Sequence, residues 1–218
     1  MKTIRVTGIG SVSVKPDTTS LRITFGGIYK DYEETVRQSA EKTKILREAI
    51  EKSGLPGEAL KTKDFSIESE YESYRDYNND YKKRFLGYKF YHRTQIQFPK
   101  DNKMLGRILY ELFLCSVKVE FSIDYTVKDK DAVKKEVIKR AVENSREKAG
   151  IMAIAAGVSL GEVQSIDYSW GEIDIRTSPV DKLEVRKSYA LEPSYDIDIE
   201  PDDIDLTDTV TMVWEIKQ

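Results

Sequence analysis

An α+β fold is predicted, with an antiparallel β-sheet packed against two long α-helices and a smaller helical and β portion. Three observations carry this expectation. Apolar residues switch repeatedly between the two-residue period of a strand and the spacing of a helix. Of the 218 residues, 39% are apolar, enough for a core in a chain that buries roughly 70% of its extended surface. No window reaches the length of a membrane-spanning helix. Charged residues make up 33% and the chain has one Cys, which excludes collagen-like and disulfide-dense classes. A formal charge of −3, from 35 basic and 38 acidic residues, recommends neither a nucleic-acid surface nor a polyanionic tail as the global role. Residues 1–218 are read as a single domain with two α/β portions.

Ile4, Val6 and Gly8 alternate towards a turn, Val12 and Val14 resume the pattern, and Leu21, Ile23 and Phe25 supply another strand. Between them Pro16 removes a backbone donor and fixes its φ, while the Asp17 carboxylate accepts a local backbone bond, so the pair suits a turn. Tyr32, Val36, Ser39, Thr43, Leu46 and Ile50 recur at helical spacing and predict a helix over about residues 31 to 53, closed by Gly54, Pro56 and Gly57. Residues from about 60 to 125 hold a hairpin and a small helical portion. Phe65, Ile67 and Tyr71 lie on one arm, and Phe85, Tyr88, Phe90, Ile96 and Phe98 on the other. The turn formers Asn78, Asn79 and Asp80 separate arms long enough to curve or bulge. Met104, Leu105, Ile108, Leu109, Leu112 and Phe113 predict a helix over 101–114, and Val117, Val119, Phe121 and Ile123 a strand.

The longest helical signal runs from Asp131 to Gly157, with Val133, Val137, Ala141, Ala149, Met152 and Ala156 as its buried stripe and Gly157 as its terminator. The segment LGEVQSIDYSW reads as a strand. About residues 170 to 208 then form a loop or extended excursion. Glu192, Asp196, Asp198, Glu200, Asp202, Asp203, Asp205 and Asp208 occur there with no Lys or Arg over 192–208, a repulsion that opposes compact packing. Val210, Met212, Trp214 and Ile216 restore strict alternation in a C-terminal strand.

Chemistry-bearing motifs are few. Cys115 cannot form an intramolecular disulfide, and with His92 it supplies too few ligands for a zinc site. Cys115 reads as a small buried side chain, with a reactive or interchain thiol as the alternative. Gly8-Ile9-Gly10 lacks the full dinucleotide-binding pattern and is assigned to backbone geometry. The late acids lack the calcium-loop spacing and are read as solvated charge. No cofactor, metal ligand or catalytic residue is assigned, since no serine nucleophile motif, phosphate loop, zinc-protease motif or paired-cysteine motif occurs. The densest feature is aromatic and basic: Tyr71, Tyr74, Arg75, Tyr77, Tyr81, Lys82, Lys83 and Arg84, continuing to Tyr88, Tyr91 and Arg93. Such residues serve cross-strand packing or a subunit interface, stacking on single-stranded nucleic acid, or another extended ligand. The interaction surface is the favoured reading and nucleic acid is disfavoured.

VTGIGSVSVKPDT, TKDFSIESEY followed by GYKFYHRTQIQF, and REKAGIMAIAAGVSLGEVQSI together resemble the SIMPL (DUF541, periplasmic-immunogenic-protein-like) family over most of the chain. The resemblance rests on Gly8, Gly10, Pro16 and Asp17, on Tyr71, Gly87 and Tyr88, and on Arg146, Ala149, Ala153, Ala156, Gly157, Leu160, Gly161 and Val163. It implies the α+β architecture above and an ability to form higher oligomers, often in exported or envelope-associated proteins, with a broad link to stress tolerance. It transfers no catalytic centre. The long tyrosine-rich segment and the acidic excursion depart from the family pattern. The expected function is a noncatalytic oligomeric scaffold or protein-interaction module with a stress-related role, its partner a second copy or another protein. The alternative is a ligand-binding protein or enzyme with its site at an oligomer interface. Without a continuous apolar signal segment the chain reads as cytoplasmic, and as envelope-associated if an export leader has been removed; no direct membrane insertion is expected.

Overall fold

The structure, a computed structural model, describes residues 2–169, 174–184 and 199–218. The elements in chain order are β1 (Thr3–Val14), β2 (Thr18–Tyr29), α1 (Tyr32–Lys52), a 3-10 turn (Gly57–Ala59), β3 (Lys61–Arg75), β4 (Tyr81–Pro99), α2 (Asn102–Leu114), β5 (Glu120–Thr126), α3 (Lys130–Ala155), β6 (Ser159–Asp167), β7 (Thr177–Glu184) and β8 (Ile204–Lys217). The class is α+β, with antiparallel sheets packed against helices of 21, 13 and 26 residues. Two compact units divide the chain. One comprises Met1–Asp17, Thr126–Thr177 and Asp202–Gln218, the other Thr18–Tyr125 and Ser178–Pro201.

The first unit pairs a three-stranded sheet, ordered β1-β8-β6, with α3. Its register sets Ile4 against Trp214, Gly8 against Val210 and Val12 against Leu206. The turn expected near Gly8 does not form, and β1 runs unbroken through both glycines. Their purpose is close approach: a Cβ on Gly8 would lie 2.0 Å from the Ala141 carbonyl oxygen, and one on Gly10 2.0 Å from that of Val137. A side chain at either position would drive α3 off the strand. The helix meets this surface with residues four apart, Val137, Ala141, Ser145, Ala149 and Ala153. The expected stripe is therefore corrected at its end, where Met152 and Ala156 are exposed while Ser145 and Ala153 are buried.

Side chains of α3 also close the outer edge of β1. Asn144 Oδ1 accepts from the Ile9 amide at 3.0 Å. Arg140 donates to the Ser11 carbonyl at 2.9 Å, and Lys148 to that of Thr7 at 3.4 Å. An edge strand whose backbone groups are occupied in this way offers little to a second chain. Pro16 is buried, and the Asp17 carboxylate accepts from the Lys128 amide at 2.8 Å, so Asp17 braces two chain connections of this unit.

The second unit contains a five-stranded sheet, β3-β4-β2-β5-β7, with α1 and α2. Leu21, Ile23 and Phe25 of β2 and Phe90, Ile96 and Phe98 of β4 meet Leu46 and Ile50 of α1 and Leu105, Ile108 and Leu112 of α2. Asp101 caps α2 by accepting from the Lys103 and Met104 amides at 2.9 and 3.1 Å. Cys115, just after α2, is half-buried, with its thiol 3.1 Å from the Leu112 carbonyl. The expected strand from Val117 begins only at Glu120, although Val117 and Val119 are buried.

Within the stretch read as an excursion, β7 covers Thr177–Glu184 and β8 starts at Ile204, ahead of the expected Val210. Ile204 and Leu206 are buried while Asp205 and Thr207 are exposed, so acids that read as a repulsive run alternate outward along a strand. Glu200 pairs with Lys100 at 2.6 Å, and Asp208 accepts from the Tyr168 hydroxyl at 2.7 Å. Glu192, Asp196 and Asp198 lie outside the described residues.

Candidate interaction surface

The distal half of the β3/β4 hairpin leaves its sheet. Strand β2 pairs with β4 only as far as Tyr29 opposite Tyr88. Beyond that, Tyr81–Gly87 pair with β3 alone, producing a two-stranded ribbon. Gly87 marks the exit, with φ +141° and its Cα so close to β2 that a Cβ would sit 2.2 Å from the Tyr29 carbonyl oxygen. Register shifts at Thr62/Asp64 and Glu70/Tyr71 supply the bulges expected of so long a hairpin.

Register sorts the eight predicted surface residues into two faces and a tip. Tyr71 lies opposite Phe85, Ser73 opposite Lys83 and Arg75 opposite Tyr81, so Tyr71, Arg75, Tyr81 and Lys83 share one face. Tyr74 opposite Lys82 and Glu72 opposite Arg84 form the other. Tyr77 stands at the tip with 94% of its surface exposed. On the first face the Tyr71 and Phe85 rings meet edge-on at 5.5 Å, Phe85 meets Tyr88 at 5.4 Å, and Tyr88 meets Tyr32 of α1 at 5.5 Å. This chain of rings anchors the ribbon base to the helix. Tyr71 and Tyr81 nevertheless remain 54% and 73% exposed, and Phe85 46%. Arg75 lies 4.6 Å over the Tyr81 ring and donates to Asn79 Oδ1 at 3.0 Å, stiffening the end of the ribbon.

The turn is built on Asp76, whose carboxylate accepts from the Asn78 and Asp80 amides at 2.9 and 3.1 Å and pairs with Lys82 at 2.7 Å. Lys82 above all, then these amides, hold the Asp76 carboxyl below its ordinary range against the opposing effect of burial. Asn79 takes the left-handed conformation with φ 66°, as a turn Asn tolerates. On the second face Arg84 pairs with Glu72. Among the described residues Lys83 has no hydrogen-bond or ion-pair partner, and no side chain bonds the outer backbone edge of β3.

Of the positions carrying the family resemblance, Tyr71 lies on this surface and most of the others do not. Gly87 and Tyr88 lie at the ribbon base, whereas Gly8, Gly10, Pro16 and Asp17 belong to β1 and its exit. Arg146 is exposed on α3, Gly157 follows the end of that helix, and Gly161 sits in β6 against Glu215. They are packing and turn positions.

A second feature escaped motif reasoning because its parts are distant in the chain. His92 on β4 is buried, held between Phe25 at 4.8 Å and Phe65 at 5.1 Å. The Thr43 hydroxyl donates to the Ser39 carbonyl at 2.7 Å, so its oxygen accepts from His92 Nδ1–H at 3.3 Å. That tautomer leaves Nε2 to accept from the Thr62 hydroxyl at 2.9 Å. Burial chiefly, and Arg47 secondarily, push the imidazole below its ordinary value and keep it neutral. Among the described residues no carboxylate bonds the imidazole, which forms a floor held by the two threonine hydroxyls. Among the described residues no group of three or more His, Cys, Asp or Glu could hold a metal ion, and no helix is long and apolar enough to cross a membrane.

Comparison with known proteins relates the sequence to a family. The chain is 27% identical over 214 residues to the 26 kDa periplasmic immunogenic protein of Brucella melitensis, an overlap of 98% of this chain and 84% of that protein. The protein of the same name from Brucella abortus gives the same identity and coverage. The model of the SIMPL family, described as a protein of unknown function (DUF541), matches residues 4–214. With nearly its whole length matched, from within β1 to within β8, the chain belongs to the SIMPL family.

Proposed function

We propose that this SIMPL-domain protein is a noncatalytic assembly module that joins copies of itself head to tail through the β3/β4 ribbon. The supporting observation is the contrast between two edge strands: β1 has outer backbone groups at Thr7, Ile9 and Ser11 occupied by α3, whereas β3 presents its edge beside exposed aromatic rings. A two-stranded ribbon is marginal alone in water and gains from a further strand. Charge selects the pairing. The acids Glu68, Glu70 and Glu72 lie along β3, while Lys82, Lys83 and Arg84 lie along the stretch of β4 that β2 leaves uncovered. Pairing β3 with β3 would oppose acids, whereas β3 of one copy beside β4 of the next opposes unlike charges. Such an interface is heterologous and closes into a ring or extends as a filament. Fully covering Tyr71, Tyr77, Tyr81 and Phe85 removes on the order of 500 Å² from water, a large part of the roughly 800 Å² per partner of a stable interface.

Light scattering coupled to size exclusion at several concentrations tests this reading. The expected mass is a multiple of 25.1 kDa. The double variant Tyr77→Ser/Tyr81→Ser, at rings that are 94% and 73% exposed and lie outside the anchoring chain of rings, is expected to elute as the monomer with an unchanged far-ultraviolet spectrum. A wild-type monomer at every concentration would sink the proposal.

A further inference from the structure

We infer that the groove between α1 and the β3/β4 pair is a binding site for a small organic carboxylate with an apolar or aromatic body. The groove has a volume of about 590 Å³ and lies entirely within the second unit, within the range of small-molecule sites. Its floor is the neutral imidazole of His92 with Thr43 and Thr62, and its wall is Phe65, whose ring is 45% exposed. Its rim carries Lys44 and Arg47, one helical turn apart on α1. Among the described residues no carboxylate lines it.

Chemistry restricts the occupant. The Thr43 hydroxyl proton is committed to Ser39 and that of Thr62 to His92, so the donors left for a ligand are the two cations. Arg47 has no carboxylate within 4.0 Å among the described residues, and Lys44 reaches only Glu48, at 4.0 Å. A guanidinium takes a carboxylate through two parallel N–H bonds. The Phe65 ring and the threonine methyl groups offer contact to an apolar body and give no hydrogen-bond donor to a sugar or polar amide. A free anion without such a body would leave Phe65 wet, and an uncharged body would leave Arg47 unpaired. The residues lining this site lie outside the ribbon that begins at Tyr71, so the inference does not rest on the proposed assembly.

The chain contains one histidine, so its imidazole proton resonances report on the groove without assignment. Titration of the full chain with 4-phenylbutyrate is expected to move the His92 signals saturably, with 4-phenylbutanol and acetate at least tenfold weaker. Arg47→Gln and Phe65→Ala, both at exposed side chains, are each expected to weaken binding at least fivefold. A spectrum of the unliganded variants that keeps the wild-type dispersion confirms folding, and Lys44→Gln serves in place of either variant that fails this check. The inference is overturned if 4-phenylbutyrate gives no saturable shift, if the alcohol or acetate binds as tightly, or if the folded variants bind like the wild type.

Discussion

His92 shows how a single residue takes its meaning from neighbours that the linear sequence does not supply. Read alone it is a poor metal ligand. Folding places it between two phenylalanine rings and two threonine hydroxyls and holds it neutral. Charging it would cost the bond that Nε2 accepts from Thr62 and set a cation beside Arg47. The sign of the linkage follows. The folded imidazole titrates below its ordinary value of 6.5, so the unfolded chain binds the proton first as pH falls through 6.5. Its contribution is present in full above that pH and is lost progressively below it, down to the folded value. Urea midpoints measured from pH 7.5 to 5.5 are therefore expected to fall, and His92→Gln to flatten that dependence; parallel profiles for the two proteins would contradict the assignment. Asp17 after Pro16 reads as a local turn acceptor, whereas the amide that its carboxylate accepts from at 2.8 Å is that of Lys128, distant in the chain.

At the scale of elements, period recovered α1 and α2 within a residue or two, since the spacing that marks a helix is a local property. It failed where packing chose between residues of equal propensity. Nothing in the helical signal distinguished Met152 from Ala153, but only the small side chain faces the sheet. The glycines of β1 looked like a turn because glycine commonly marks one, whereas here each omits a Cβ beneath α3. Gly10→Ala is accordingly expected to destabilise the protein by roughly 1–3 kcal/mol, the cost of overpacking. Gly150→Ala is the control. It lies within α3 with nothing within 4 Å of its added Cβ, so a gain of up to about 1 kcal/mol is expected from helix propensity. Chemical denaturation of both variants checks the pair, and equal effects would refute the close-approach account.

For the whole molecule, a net charge of −3 conceals a local separation on which the proposed assembly rests. The acids of β3 and the bases of β4 lie side by side on one ribbon, and in the proposed assembly they would select a neighbour of the same kind. Raising NaCl from about 0.05 to about 1 M shortens the screening length from over 10 Å to about 3 Å, so the dissociation constant of the assembly is expected to rise, as followed by sedimentation equilibrium. The reversal Lys82→Glu/Arg84→Glu is expected to weaken assembly at low salt and to lose its effect at high salt. Salt-insensitive association would assign the interface to the rings alone. The order and class of most elements, the turn at Asn78, Asn79 and Asp80, and the identity of the exposed aromatic cluster were determined by the sequence itself, because turn chemistry and periodicity are set by residues a few positions apart. Tertiary structure alone decided that β1 is closed while β3 stays open, and that one histidine floors a cation-rimmed groove. Those outcomes depend on pairs such as Ile9 with Asn144 and Thr43 with His92, which no local pattern joins and which only the packed backbone brings within hydrogen-bonding distance.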